Sequence, residues 1–295
     1  MDIAIPAYLP RHLRRYGFGA AGTRWLADLP RRIVALEQAW DLRVGPPFDQ
    51  DGAVSWVAPV DLRDGSEAVL KITFPHDDPR FEAEALRVLD GRGAVRLLRA
   101  CDDGFALLLE RCRPGTELWS LGEGDVHAVA CQLLPRLWRE PAPDAPFMSL
   151  ADYVAGWWDD LPRLTASAAY DGAVVAAVVA RGRELAASQP QRVLLHGDFH
   201  PGNALAAQRE PWLCIDPKPL LGEPAYDLAQ WLFNRARFVL GSDAAVGVLR
   251  GHVERFAADL GLEPARIAGW AFVKVFGFQY GPAYVALFQE VAQAW

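Results

Sequence analysis

Leu195-His-Gly-Asp-Phe-His-Pro-Gly-Asn203 follows the apolar pair Val193-Leu194 and sets two histidines, an aspartate and an asparagine into the eight positions 196–203. So dense a polar set after an apolar stretch reads as a loop leaving a strand. Its skeleton is H-x-D-x-x-x-x-N. Thirteen residues beyond Asn203, after a second strand-like piece at 212–215, stands Asp216. Taken as one hairpin, the order strand, loop, strand, acid predicts that Asp198, Asn203 and Asp216 share one end.

Two carboxylates and an amide are what phosphoryl transfer from a nucleotide asks for. The transferred group passes through a loose transition state, so the protein mainly positions groups and neutralises charge. Asp198 suits the acceptor hydroxyl proton. Asn203 and Asp216 suit Mg2+, which takes hard oxygens and keeps several waters. A cation for the α/β-phosphates, braced by an acid on a helix, completes the set. Lys71 lies in the strand-like Ala68-Val-Leu-Lys71, and Phe81-Glu-Ala-Glu-Ala-Leu86 follows it. Glu84 is preferred over Glu82 as the acid because Glu84-Ala-Leu-Arg87 sits better in a helix; Glu82 is then expected on a solvated face. A binuclear metallophosphatase, suggested by Gly197-Asp-Phe-His200, would need several further ligands. The other histidines, at 12, 76, 127 and 252, form no N-H-E or H-x-H cluster.

Working outward, the 295 residues suffice for a sizeable core, and 52% hydrophobic against 23% charged residues is a globular balance. A net charge of -7 with scattered arginines argues against a nucleic-acid partner and favours a cationic or neutral small molecule. The four cysteines form no C-x-x-C and are expected as buried reduced thiols. No leader pattern opens the chain, and the apolar run 173–180 is far short of the ~20 residues of a membrane span, so a cytoplasmic protein without a membrane partner is expected.

Residues 1–23, rich in Pro and Gly, read as a loose arm, and 28–41 as a helix; together 1–40 form an N-terminal helical extension. Residues 41–110 read βββαββ, with the helix over 79–89. Helices are expected near 122–139, 149–163, 171–187, 224–239, 243–260, 264–277 and 281–293. This pattern predicts an α+β architecture: a small antiparallel-sheet lobe over 41–112 and a mainly helical one over 113–295, with a cleft between lobes as the default ligand site.

The chain resembles the aminoglycoside phosphotransferases, a protein-kinase-like bilobal family, and within them the streptomycin 6-kinase and hydroxyurea phosphotransferase branch. The residues that carry this are 195–203 as quoted, Ile215-Asp-Pro-Lys218, Gly222-Glu-Pro-Ala-Tyr-Asp-Leu-Ala229, Gly93-Ala-Val-Arg-Leu-Leu98 and Leu107-Leu-Leu-Glu-Arg111 with Pro114-Gly115. The resemblance implies Asp198 as catalytic base, Asn203 and Asp216 as metal ligands, and Lys71 with Glu84 as the phosphate-positioning pair. It implies an adenine-binding hinge from the backbone of Glu110, Arg111 and Cys112, ATP or GTP with Mg2+ as cofactors, and a cationic acceptor. Asp227 would brace the catalytic loop, and Lys218 would lie near substrate or phosphate. His196 reads as structural, while His200 stands between packing the loop and touching the site. Trp157, Asp159, Asp160 and Glu223 are candidate acceptor contacts. The segment Gly45-Pro-Pro-Phe-Asp-Gln-Asp-Gly52 departs from a G-x-G-x-x-G loop, since two prolines remove backbone donors. A monomer or weak dimer is expected, and a catalytically silent nucleotide-binding module is the alternative from another class.

Overall fold

The computed structural model describes residues 3–49, 54–76, 81–166 and 170–295. Residues 50–52 of the proline-bearing segment and the expected helix start at Pro79 lie outside them. The chain divides into two compact units, Met1–Gly115 with Ala206–Leu213, and Thr116–Leu205 with Cys214–Trp295.

The first unit is built on five antiparallel strands in the order β1-β2-β3-β5-β4: β1 (Leu42–Val44), β2 (Ser55–Leu62), β3 (Glu67–Thr73), β4 (Leu97–Ala100) and β5 (Ala106–Glu110). Helix α3 (Glu82–Leu89) falls between β3 and β4, giving the βββαββ order that the alternation predicts. Lys71 sits on the central strand, opposite Val57 on one side and Leu107 on the other. Beyond β1 the chain keeps to the edge of β2, through Gly45 N–H to the Pro59 carbonyl (2.8 Å) and Phe48 N–H to the Val57 carbonyl (2.9 Å). Pro46 and Pro47 have no N–H to give, so regular pairing ends at Val44.

The N-terminal residues are not a loose arm. Helix α1 (Tyr8–Arg15) buries Leu9 and Leu13, and α2 runs over Gly19–Trp40, starting well before residue 28. Both helices join Trp56, Leu70 and Ile72 in one core through Leu9, Leu13, Leu29 and Ile33. The Tyr8 hydroxyl donates to the Ser55 carbonyl (3.1 Å) and the Trp56 indole to the Ala4 carbonyl (3.0 Å). Pro30 inside α2 forfeits a hydrogen bond at a cost of about 3 kcal/mol, which burial of Leu29, Ile33 and Leu36 around it offsets.

The second unit is mainly helical: α4 (Glu123–Leu137), α5 (Leu150–Asp159), α6 (Leu161–Ala166), α7 (Gly172–Ala187), α8 (Asp227–Val239), α9 (Ala245–Leu260), α10 (Pro264–Gly277) and α11 (Pro282–Ala292). Helix α10 is buried from Ile267 through Phe276 and packs against α7, α8, α9 and α11. The single hairpin expected around the motif is replaced by two nested ones. Strand β6 (Val193–Leu195) pairs with β9 (Leu220–Gly222), and β7 (Ala204–Ala206) with β8 (Trp212–Cys214). β7 and β9 have only three residues each, too few for an alternation to show. Cys101, Cys112, Cys131 and Cys214 are all free, but only Cys214 is fully buried. No helix among the described residues is long and apolar enough to cross a membrane.

Candidate active site

In the first unit the Lys71 ammonium donates to both carboxylate oxygens of Glu82, each at 2.7 Å. Both side chains are buried, Lys71 at 6% and Glu82 at 1% exposure. This corrects the choice of Glu84, which stays half-buried on the outer side and pairs with Arg87 one turn on. The two glutamates are about 200° apart around the helix, so only one can face the sheet. A charged pair this dry needs near-ideal geometry to persist, and the two-oxygen grip supplies it.

In the second unit the 195–203 loop is held from several sides. Gly197 has φ +76°, and a Cβ there would lie 1.9 Å from the Lys218 carbonyl oxygen, so only glycine allows this crossing. Asp227, the first residue of α8 and fully buried, accepts the N–H groups of His196 (3.0 Å) and Gly197 (2.7 Å) and the Trp138 indole N–H (3.0 Å). Each such bond to a carboxylate contributes about 1.5–3 kcal/mol. His196 accepts the Asp198 N–H on Nδ1 (3.3 Å) and donates from Nε2 to the Ile215 carbonyl (3.0 Å). His200 accepts the Gly202 N–H on Nδ1 (3.1 Å) and closes the short 3-10 turn Pro201–Asn203. The Asn203 amide donates to the Asp198 carbonyl (3.0 Å), which spends its nitrogen and presents its oxygen elsewhere.

The Lys218 ammonium bridges the two acids, at 3.1 Å from Asp198 Oδ2 and 3.0 Å from Asp216 Oδ2. Asp216 itself takes a left-handed backbone (φ 57°), a conformation aspartate tolerates better than most residues. Burial would push the Asp198 carboxyl up, but Lys218, with His200 and Lys274, outweighs it and holds the group below the ordinary carboxylate range. Against burial, Asp216 and Asp198 raise Lys218 well above an ordinary ammonium. Burial lowers both His196 and His200, which favours neutral rings. Asp198 is therefore a carboxylate at neutral pH, suited to orient a hydroxyl and to take its proton late. The Asn203 oxygen and the Asp216 carboxylate are hard donors of the kind Mg2+ takes, so the residues present fit that ion.

Lys274, on α10, carries no sequence motif. The residue is 1% exposed, and its ammonium donates to the Gly197 carbonyl (2.8 Å) and lies over the Tyr226 ring (4.7 Å) and the Phe278 ring (5.4 Å). One signal could have found it: the sequence holds 27 arginines and only three lysines, Lys71, Lys218 and Lys274.

The remaining candidates fall elsewhere. Glu223 is 1% exposed, and its carboxylate is taken by Arg266 and the Trp270 indole, so it is spent on packing α10 rather than offered to an acceptor. The Glu110 N–H is given to the Arg96 carbonyl (2.9 Å), and its carboxylate accepts from Arg209. Arg111 pairs with Glu67 (2.8 Å), and burial pushes the Cys112 thiol up to about 12. Trp157 packs over Gly277 and beside Phe278, Trp158 over Gly182. Asp159 is exposed, and Asp160 ends α5.

Residues 44–276 match the aminoglycoside/hydroxyurea antibiotic resistance kinase family. The chain belongs to that family. Similar relatives of this kinase include a hydroxyurea phosphotransferase of Kitasatospora aureofaciens, 37% identical over 278 residues, covering 92% of this chain and 78% of the relative. A streptomycin 6-kinase of Streptomyces glaucescens is 35% identical over 273 residues, covering 92% and 88%. Among solved structures, an aminoglycoside phosphotransferase of Streptomyces rimosus in complex with ADP and streptomycin superposes with a TM-score of 0.58 at 20% identity, over 85% of this chain and 98% of that one. That likeness shows the protein-kinase-like fold for this family member.

Proposed function

We propose that the chain is an ATP- and Mg2+-dependent O-phosphotransferase whose acceptor is a small hydroxylated molecule, an aminoglycoside such as streptomycin first, acting in the cytoplasm as an antibiotic-resistance kinase. The observation that carries this reading is the Lys218 ammonium shared by Asp198 and Asp216, on a loop held by Asp227. An ionised Asp198 orients the acceptor hydroxyl for in-line attack. Asn203 and Asp216 would hold Mg2+, which when bound neutralises charge on the phosphates. Lys71, kept in place by Glu82, serves the nucleotide phosphates. The streptomycin 6-kinase relatives support the acceptor class.

Hydroxyurea is a second reading with specific support. The relative at 37% identity is a hydroxyurea phosphotransferase. Glu223 is withdrawn from the surface, and two ammonium groups act on Asp198, a setting that does not demand a polycationic acceptor.

A γ-labelled ATP assay against streptomycin, other aminoglycosides, hydroxyurea and hydroxylated metabolites tests both. One acceptor should take label, and Asp198→Asn should lose turnover on the order of 10²-fold or more while still binding nucleotide. Label transfer at near wild-type rate by that variant would remove Asp198 from its role. For Asp216→Ala, calorimetric titration should show weakened Mg-nucleotide binding; unchanged affinity would count against the metal assignment.

A further inference from the structure

On a solvated surface lysine and arginine serve almost equally, but arginine is a broad planar fork and lysine a compact point charge. A chain with 27 arginines keeps lysine at three places only. Lys71 grips Glu82, and Lys218 bridges Asp198 and Asp216. The third, Lys274, is the most buried of the three, on a helix otherwise filled by Trp270, Phe272, Val273, Val275 and Phe276. An apolar side chain would fill that space without the cost of burying a charge, so the ammonium is kept for what it touches.

What it touches is the Gly197 carbonyl, one peptide bond before Asp198. Asp227 holds the N–H of the same glycine. Gly197 is thus gripped at its nitrogen by an anion and at its oxygen by a cation, and the start of Asp198 is set between them. We propose that Lys274 is a positioning residue for the transfer step, fixing the Asp198 carboxylate by pinning the Gly197 peptide from α10. Asp198, Asp227, Lys218 and the rings of Tyr226 and Phe278 face its ammonium. Burial, partly opposed by Asp198 and Asp227, brings Lys274 down to about 8.

The inference rests on the kinase reading of Asp198. In Lys274→Met, kcat should fall on the order of 10-fold or more through misplacement of the base, with the nucleotide KM within about threefold of wild type. Lys274→Arg, which restores donor and charge, should recover part of kcat. A folded Lys274→Met with kcat within about twofold of wild type overturns the inference, as does a loss confined to KM or to thermal stability. If Lys274→Met does not fold, chains that keep Lys274 decide, because three lysines give three side-chain signals in a lysine-labelled NMR spectrum, assigned by elimination with Lys71→Arg and Lys218→Arg. The Lys274 midpoint should move to lower pH in Asp198→Asn; an unmoved midpoint overturns the inference. A wild-type chain that phosphorylates no acceptor sinks the kinase reading instead, and the NMR result does not depend on turnover.

Discussion

Glu82 shows how one side chain can be decided by its burial. Two glutamates stand two positions apart after the lysine strand, and local helix pattern favours Glu84. The structure seats Glu82 against Lys71 and leaves Glu84 to Arg87 on the outside. The two should therefore differ sharply on substitution. Glu82→Gln takes the charge from the partner of a buried ammonium and is expected to cost about 3–5 kcal/mol and to raise the nucleotide KM. Glu84→Gln touches only an exposed pair, within about 1 kcal/mol. Urea denaturation and nucleotide titration of both variants check this, and equal effects would contradict the assignment.

Elements are placed here by close approaches that single residues permit. Trp157 and Trp158 are adjacent on α5, yet each finds a glycine: a Cβ at Gly277 would lie 2.4 Å from the Trp157 ring, and one at Gly182 2.4 Å from the Trp158 ring. Thus α5 uses both tryptophans to seat itself on α10 and α7. Gly277→Ala should overpack that contact and cost about 1–3 kcal/mol, with the urea midpoint falling at unchanged slope; a neutral result would mean that the Trp157 ring shifts freely. The hairpins follow the same logic. A strand of three residues such as β9 has no pattern of its own and exists because β6 offers it an edge.

For the whole molecule, the titrating groups combine into one acid response. His196 and His200 are lowered by burial, and His252 is brought to about 4 by burial and by Arg255. Below the ordinary histidine value near 6.5 the unfolded chain binds protons that the folded one refuses, so stability falls as pH drops from about 6.5 toward about 4. Asp198, Glu110 and Glu123 are lowered by their cationic partners despite burial. Their contribution is present above the unfolded carboxylate value and is lost as pH falls through the folded one. The two windows adjoin, so the unfolding free energy read from urea titration should decline continuously below pH 6.5, with His252 alone contributing on the order of 2 kcal/mol of the loss at pH 5. His252→Gln should flatten the upper part of that slope; an unchanged slope would remove His252 as a contributor.

Local sequence was enough for the order of elements from 41 to 110, the placement of the long helices after 116, and the H-x-D-x-x-x-x-N loop with Asp216 and Lys71. These rest on local chemistry: periodicity, turn residues and polar groups at fixed spacing act over a few residues and can be read one after another. The tertiary structure alone decided that Glu82 rather than Glu84 meets Lys71, that β6 pairs with β9, that α1 is core rather than arm, that Glu223 is consumed by Arg266, and that Lys274 reaches Gly197 from 77 positions away. Those choices are made by burial and by pairing between distant segments. A charge finds its partner, or a helix its buried face, only when the rest of the chain has closed around it.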